Sequence, residues 1–457
     1  MAPRPARRVS PTDGLPARRM ALDVIRQVTE NGAYASLVLD TKLKNCTLSH
    51  EDRRLVSRLV YDTLEHLLYL DHCLAQVMAK PDTDIKLRNI LRMASCQLLL
   101  EDRIPEHAAT DTAVELCKEL GMEGLAGVCN GVLRNLIRRK DELTFPDEET
   151  EPVRALSVKY SVPEWLVERL LADWGHDTAV ALMDTHREDP YITVRPDLLV
   201  LDDAAFDTLL DKKVWDHEPG LVPHSRRVRN MVDLARDSDF TAGRFSIQSE
   251  SSMLACMALA PRRGMTVLDA CAAPGGKACY LAELMGGTGR VQAWDVHPHR
   301  VDLIQAQVTR LKLENVRPLV KDASVHREDL DETFDAVLLD APCSGTGDMA
   351  DKPDVKYRPT PESVAELART QEALLDAVAP YVKKGGTLVY STCSVLKQEN
   401  EEQIKAFLAR HPEYSLAPLP QEIPERFRRY EGTGLQLLPA RDGVGGFYIC
   451  RMKRSRV

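Results

Sequence analysis

Through the first third of the chain apolar residues recur at intervals of three and four. Val56, Leu59, Val60, Leu64 and Leu67 form one such set, and Ile90, Ala94 and Leu98 another. Val114, Cys117 and Leu120 follow, then Val132, Leu133, Leu136 and Ile137. That spacing lays an apolar stripe along a helix. With almost no strand signal beside it, it predicts an all-helical domain over residues 15–146. The pattern breaks where the basic run RNLIRRK (134–140) gives way to the acidic, proline-bearing DELTFPDEETEP (141–152). Such a stretch has little to bury and reads as a linker, with a boundary near 146. Pro163 then opens PEWLVERLLADWG, a helix that Gly175 can end. YITVRPDLL (191–199) reads as a strand, and residues 152–240 are expected to form a small α/β module. From 241 to 457 short apolar strands alternate with helices. The strands close at Asp269, Asp295, Asp322, Asp340 and Ser391, and the helices cover 277–284, 300–311 and 363–378. This alternation predicts a Rossmann-like, mostly parallel sheet covered on both faces, with ligands bound outside the carboxyl ends of its strands.

Composition adds limits. The 457 residues are 44% hydrophobic and 28% charged, which suits a globular chain of two to four domains. No apolar run reaches the ~20 residues that cross a bilayer, and the start, MAPRPARRVSPTDG, lacks the apolar core of a secretory signal. Eleven cysteines stand singly without a C-x-x-C pair, which argues against a metal site and for a reducing, cytoplasmic setting. The net charge of −9 leaves nucleic acid to local patches: 134–140, 226–229 and 426–429, with basic tails at both ends.

The candidate chemistry lies at the carboxyl edge of the expected sheet. In LDACAAPGGK the turn Pro274-Gly275-Gly276 lets a ligand approach the backbone. Asp295, one strand on, can take both hydroxyls of a ribose. The turn lacks both the dinucleotide and the phosphate-loop glycine patterns, so a nucleoside without phosphates is favoured, and S-adenosyl-L-methionine fits. Cys343 in DAPCSGTG and Cys393 in YSTCS lie in polar turns at the same edge, whereas Cys46, Cys73, Cys96 and Cys256 read as small core hydrophobes. Cys271 and Cys279 are expected to pack against the glycine turn. Paired thiols beside a sulfonium donor suggest methylation of cytosine at carbon 5. A thiolate adding to carbon 6 makes carbon 5 nucleophilic, and a base must later take the carbon 5 proton. The target base must be unstacked for the thiol to reach its face.

LDACAAPGGK, DAPCSGTG and YSTCSVLKQENE resemble the signature segments of RNA cytosine-C5 methyltransferases of the Sun/RsmB type, which act on bacterial 16S ribosomal RNA. The likeness extends over nearly the whole chain. DRRLVSRLVYDTLEHLLYLD and VCNGVLRNLIRR are similar to the family's NusB-like, RNA-binding amino-terminal domain. The resemblance implies Cys393 as nucleophile and Cys343 as the thiol that promotes product release. It places the donor on Cys271, Ala272, Ala273, Pro274, Gly275, Gly276 and Lys277, on Asp295, on Asp322 near the adenine, and on Asp340, which could instead serve the target base. DNA cytosine methyltransferases use the cysteine of the PC motif as nucleophile, so the exchanged assignment is the rival. Ala278, Ser249, His186 and Pro196 depart from the family pattern. The expected partner is 16S ribosomal RNA, with no metal and no membrane, and a monomer is expected. Transfer RNA or another ribosomal site is the alternative target. A catalytically inert RNA-binding protein is the alternative class, but it would be expected to have lost a thiol, the glycine turn or a strand-end carboxylate.

Overall fold

The structure, a computed structural model, describes residues 14–101, 104–184, 190–231 and 234–456. Two compact units divide it: residues up to 185 with 351–358, and 186–350 with 359–457. Among the described residues no helix is long and apolar enough to cross a membrane.

The first unit is helical. Seven helices, from Leu15–Asn31 to Glu123–Arg139, carry the expected apolar stripes into one core that includes Leu22, Ile25, Val56, Leu59, Leu91 and Leu133. Three more, Pro152–Tyr160, Glu164–Trp174 and His176–Met183, belong to the same unit. The boundary expected near 146 therefore does not coincide with the division between units. The linker is fastened down: Phe145 stacks on Tyr69 with ring centroids 5.6 Å apart. Gln76 Oε1 accepts the Thr144 N–H at 2.9 Å. Beyond it, the buried Ser161 hydroxyl accepts the N–H groups of Leu68 and Tyr69 at 2.7 and 3.1 Å, at the start of helix Leu67–Ala75.

A second departure is the segment 351–358, which comes from far along the chain yet completes this unit. Lys356 is fully buried, and its ammonium donates to the carbonyls of Glu65 and Tyr160 at 2.8 and 3.1 Å. These are the last residues of helices His50–Glu65 and Pro152–Tyr160, where unpaired carbonyls and the helix dipole both favour a cation. Tyr357 donates its hydroxyl to the Glu65 carbonyl at 3.1 Å, and Arg358 donates to the Gly32 carbonyl at 2.8 Å. Burial lowers the Lys356 pKa to about 8.

In the second unit, strands β1 (Ile192–Pro196), β2 (Asp216–Pro219), β3 (Arg226–Arg229) and β4 (Phe245–Ile247) form an antiparallel sheet in the order β2-β3-β1-β4. Phe206, Trp215 and Phe245 pack its core. The larger sheet takes β5 (Thr266–Asp269), β6 (Arg290–Asp295), β7 (Val316–Val320), β8 (Phe334–Asp340), β9 (Val382–Thr392), β10 (Tyr414–Leu416), β11 (Leu435–Leu437) and β12 (Phe447–Arg454). Its order is β10-β12-β9-β8-β5-β6-β7, with β11 pairing β12. The strands β5 to β9 run parallel; β12 enters antiparallel beside β9. Alternate residues feed opposite cores. Val267, Val291, Leu338 and Val389 face one, while Leu268, Trp294, Val337 and Tyr390 face the other. The chain steps outward from β5 to β6 and β7, then returns to lay β8 on the other side of β5. That reversal opens the crevice where open α/β sheets bind ligands.

The carboxyl-terminal basic run is no loose tail. Arg451 to Arg454 lie in β12, and Met452 pairs with Leu388 and Leu416. The amino-terminal arginines Arg4, Arg7 and Arg8 lie outside the described residues, as does His186.

Candidate active site

The glycine turn connects β5 to helix Gly276–Leu284. Gly275 has φ 110°, and a Cβ there would stand 3.1 Å from the Ile304 Cα, so only glycine suits. Above Gly276, by contrast, the space is open. No side chain caps this helix, which leaves its first N–H groups without a side-chain partner. Ala278 is fully buried in the helix, where a small residue packs closely. Cys279 is fully buried too, and burial pushes its thiol up to about 12. Cys271 is partly exposed, and its pKa is also raised, chiefly by desolvation.

Strand-end carboxylates surround the turn. Asp295 is nearly buried, with Oδ1 accepting the His297 N–H at 3.0 Å and Oδ2 3.4 Å from Arg300. Asp322 stands two residues past the end of β7, exposed, with Oδ1 taking the Ser324 N–H at 2.9 Å. Asp340 ends β8; one oxygen meets Lys277 Nζ at 2.8 Å and the other accepts the Ser391 hydroxyl at 2.7 Å. Burial opposes the charge on Lys277, but Asp340 more than offsets it and holds the ammonium above its ordinary pKa. Asp269, identified from sequence only as a strand end, is fully buried with both oxygens unpartnered. Burial, and then the charge of Asp340, raises its carboxyl to about 7.

The two expected thiols meet. Cys343 Sγ and Cys393 Sγ are 3.4 Å apart, both free and partly exposed. β8 and β9 are parallel neighbours, and each cysteine follows its strand at the carboxyl edge within a few residues. The loops touch through backbone: the Gly347 N–H donates to the Cys393 carbonyl at 2.9 Å, and the Gly446 N–H to the Gly347 carbonyl at 3.1 Å. A Cβ on Gly347 would come 2.0 Å from the Gly446 oxygen. The neighbouring Cys393 sulfur, and then burial, raise the Cys343 pKa well above the usual thiol value. Cys343 thus rests as a thiol beside Cys393.

Two residues of this region escape sequence reasoning. Glu399 and Gln371 are fully buried beneath the cysteine loops and hydrogen-bonded to them. The segment that carries Glu399 stands out in sequence, but a lone glutamate after a strand gives no sign of burial. Ser249, one of the departures, serves as N-cap of helix Glu250–Leu259, accepting the Ser252 N–H; an aspartate would fill the same place.

The basic patches are largely spent within the fold. Arg226 pairs with Asp207, Arg227 with Glu250 and Arg229 with Glu218. Arg429 meets Glu431 and Asp442, and Arg139 meets Glu142. Arg18 is buried on Gln97, and Arg19 pairs with Glu119. Arg134 and Arg428 remain exposed, with no ion pair among the described residues.

Comparisons with known proteins agree with this architecture. Residues 256–453 match the family described as 16S rRNA methyltransferase RsmB/F, and residues 15–138 match the NusB family. The Bacillus subtilis (strain 168) protein named "Probable ribosomal RNA small subunit methyltransferase B" is 38% identical over 443 residues, covering 96% of this chain and 98% of its own. The Shewanella oneidensis ribosomal RNA small subunit methyltransferase B is 33% identical over 439 residues, covering 96% and 99%. Among solved structures, that of PH0851 superposes with a TM-score of 0.82 at 27% identity, covering 98% of this chain and 99% of its own. A methyltransferase homolog protein from Pyrococcus horikoshii reaches 0.57 at 27% identity, covering 66% and 99%. With relatives above 30% identity along nearly its entire length, the chain belongs to the ribosomal RNA small subunit methyltransferase B family.

Proposed function

We propose that this protein methylates carbon 5 of one cytosine in 16S ribosomal RNA, using S-adenosyl-L-methionine, through a transient bond between Cys393 and carbon 6. The observation that carries the reading is the pair of free sulfurs 3.4 Å apart at the crevice edge. The crevice fits the donor: open space over Gly276, uncapped helix N–H groups, and the unpartnered carboxylate of Asp269, which suits a ligand bearing positive charge. Residues 271–277, Asp295 and Asp322 would hold it, with Asp295 toward the ribose and Asp322 toward the adenine. When bound, the donor supplies an electrophilic methyl group.

The chain's own groups then divide the work. Cys393, as thiolate, adds to carbon 6, and the electron pair moves to carbon 5, which takes the methyl. A base then takes the carbon 5 proton, the C–H electron pair becomes the ring double bond, and the Cys393 sulfur leaves as thiolate. Cys343, kept protonated beside it, promotes that release. Asp340, held between Lys277 and Ser391, orients the donor or the target base. The helical unit, with its NusB-family stretch, would hold the RNA through phosphate contacts while the pocket selects an unstacked base.

The test is transfer of labelled methyl to naked, immature and subunit-assembled 16S RNA, followed by mapping of 5-methylcytosine. Cys393→Ala is expected to abolish transfer and leave no adduct, and Cys343→Ala to accumulate a denaturant-resistant protein–RNA complex. The opposite adduct pattern would exchange the two roles; label found only in transfer RNA would replace the substrate.

A further inference from the structure

We propose that Glu399 is a positioning residue: its buried carboxylate clamps the Cys343 loop to the Cys393 loop and so sets the distance between the two sulfurs. Each of its oxygens takes two donors, and Oε2 takes one from each thiol loop. Oε1 accepts the Ser344 N–H at 2.8 Å and the Gln371 amide at 3.0 Å. Oε2 accepts the hydroxyls of Ser344 and Ser394, the latter at 2.6 Å. Ser344 directly follows Cys343, and Ser394 directly follows Cys393, so one carboxylate grips the residue next to each thiol. Gln371 also donates to the carbonyl of Pro342 at 2.9 Å, on the other side of Cys343. Thr346 closes the ring, with its hydroxyl 3.1 Å from that of Ser394 and accepting the Val395 N–H at 3.1 Å.

A carboxylate with no surface exposure is costly unless its lone pairs are taken, and here three of the four donors come from the two loops that carry the chemistry and the fourth from Gln371 on helix Pro361–Val378. Backbone bonds between β8 and β9 fix the strands only up to Asp340 and Ser391. Past them the loops are tied by side chains and by two backbone bonds, from the Ala341 N–H to the Ser391 carbonyl and from the Gly347 N–H to the Cys393 carbonyl. The negative charge also adds to the forces that keep Cys343 a thiol. The inference rests on the reading that both cysteines take part in catalysis, but its test does not.

Phenylarsine oxide reports the spacing without any turnover: its arsenic takes two thiols and gives up its oxygen as water, which requires two sulfurs within reach of one atom. The full-length protein is expected to bind one arsenic across Cys343 and Cys393, located by peptide mass. Glu399→Ala is expected to lose that bridge while keeping its far-ultraviolet spectrum. Glu399→Gln is expected to keep it, because the remaining oxygen still serves the N–H donors and both serine hydroxyls can turn to accept from the new amide. In methyl transfer, Glu399→Ala should lower kcat about 100-fold with KM for the donor little changed, and Glu399→Gln should restore most of it. Should Glu399→Ala not fold, the double change Ser344→Ala with Ser394→Ala is read in the same way. An arsenic bridge as complete in the folded alanine variants as in the parent protein overturns the proposal. Absence of methyl transfer by the parent protein with the bridge pattern intact would instead overturn the enzymatic reading.

Discussion

Asp269 shows how one residue can carry an energetic cost within a well-packed strand. Its carboxyl titrates from 3.8 in the open chain to about 7 in the fold. Between those values the folded state binds more protons, so its contribution makes stability fall as pH rises through that window. Asp269→Asn should remove this dependence. Without donor, its melting temperature should exceed the parent's above pH 7, by an amount equivalent to roughly 4 kcal/mol. Calorimetry from pH 4 to 8 checks the prediction, and equal slopes for the two proteins would refute it. Gly347 is constrained differently: any Cβ meets the Gly446 carbonyl oxygen. Gly347→Ala should therefore displace the thiol loop and cost about 100-fold in kcat, with RNA affinity kept. Both cysteines, the glycine turn and the strand-end aspartates were legible from sequence, because each stands at a strand-to-turn transition where polar residues mark a carboxyl edge. Glu399 was not legible, since its partners come from three separate stretches and only folding brings them together.

Among the elements, helix ends are where polar groups do most. The Ser161 hydroxyl takes two N–H groups at the start of helix Leu67–Ala75. Ser161→Ala should lower stability by about 1 kcal/mol, as loss of a helix cap does, measurable by urea denaturation. Lys356 supplies a cation to two helix carboxyl ends at the expense of its own solvation. Its pKa falls from 10.5 to about 8, so the unfolded chain binds more protons between those values and stability should rise with pH across them. Lys356→Met should flatten that rise; a profile unchanged from pH 8 to 10 would contradict it. The helices of the first unit and the parallel strands were readable because their apolar periods are regular. β3 was misleading as a basic patch: its arginines look free in sequence, but their carboxylate partners sit on other elements.

For the molecule as a whole, charge is the property that matters to a polyanionic partner. The chain is acidic overall, and most of its clustered arginines are engaged internally. On the proposed function, phosphate contacts would fall to exposed cations such as Arg134 and Arg428. Replacing either by alanine should reduce the slope of log affinity against log salt by about one, with the melting temperature unchanged. Arg227→Ala should do the reverse, lowering stability through its broken pairing with Glu250 and leaving the salt slope alone. The segment 351–358 was the least readable feature at this scale, since a loop of the catalytic half gives no sequence sign that it fills the helical one. That splice has a consequence for synthesis. The helices are translated before residues 186–350 and the lysine that plugs their ends only after them, so the helical unit must wait for a later stretch of chain before it can finish folding.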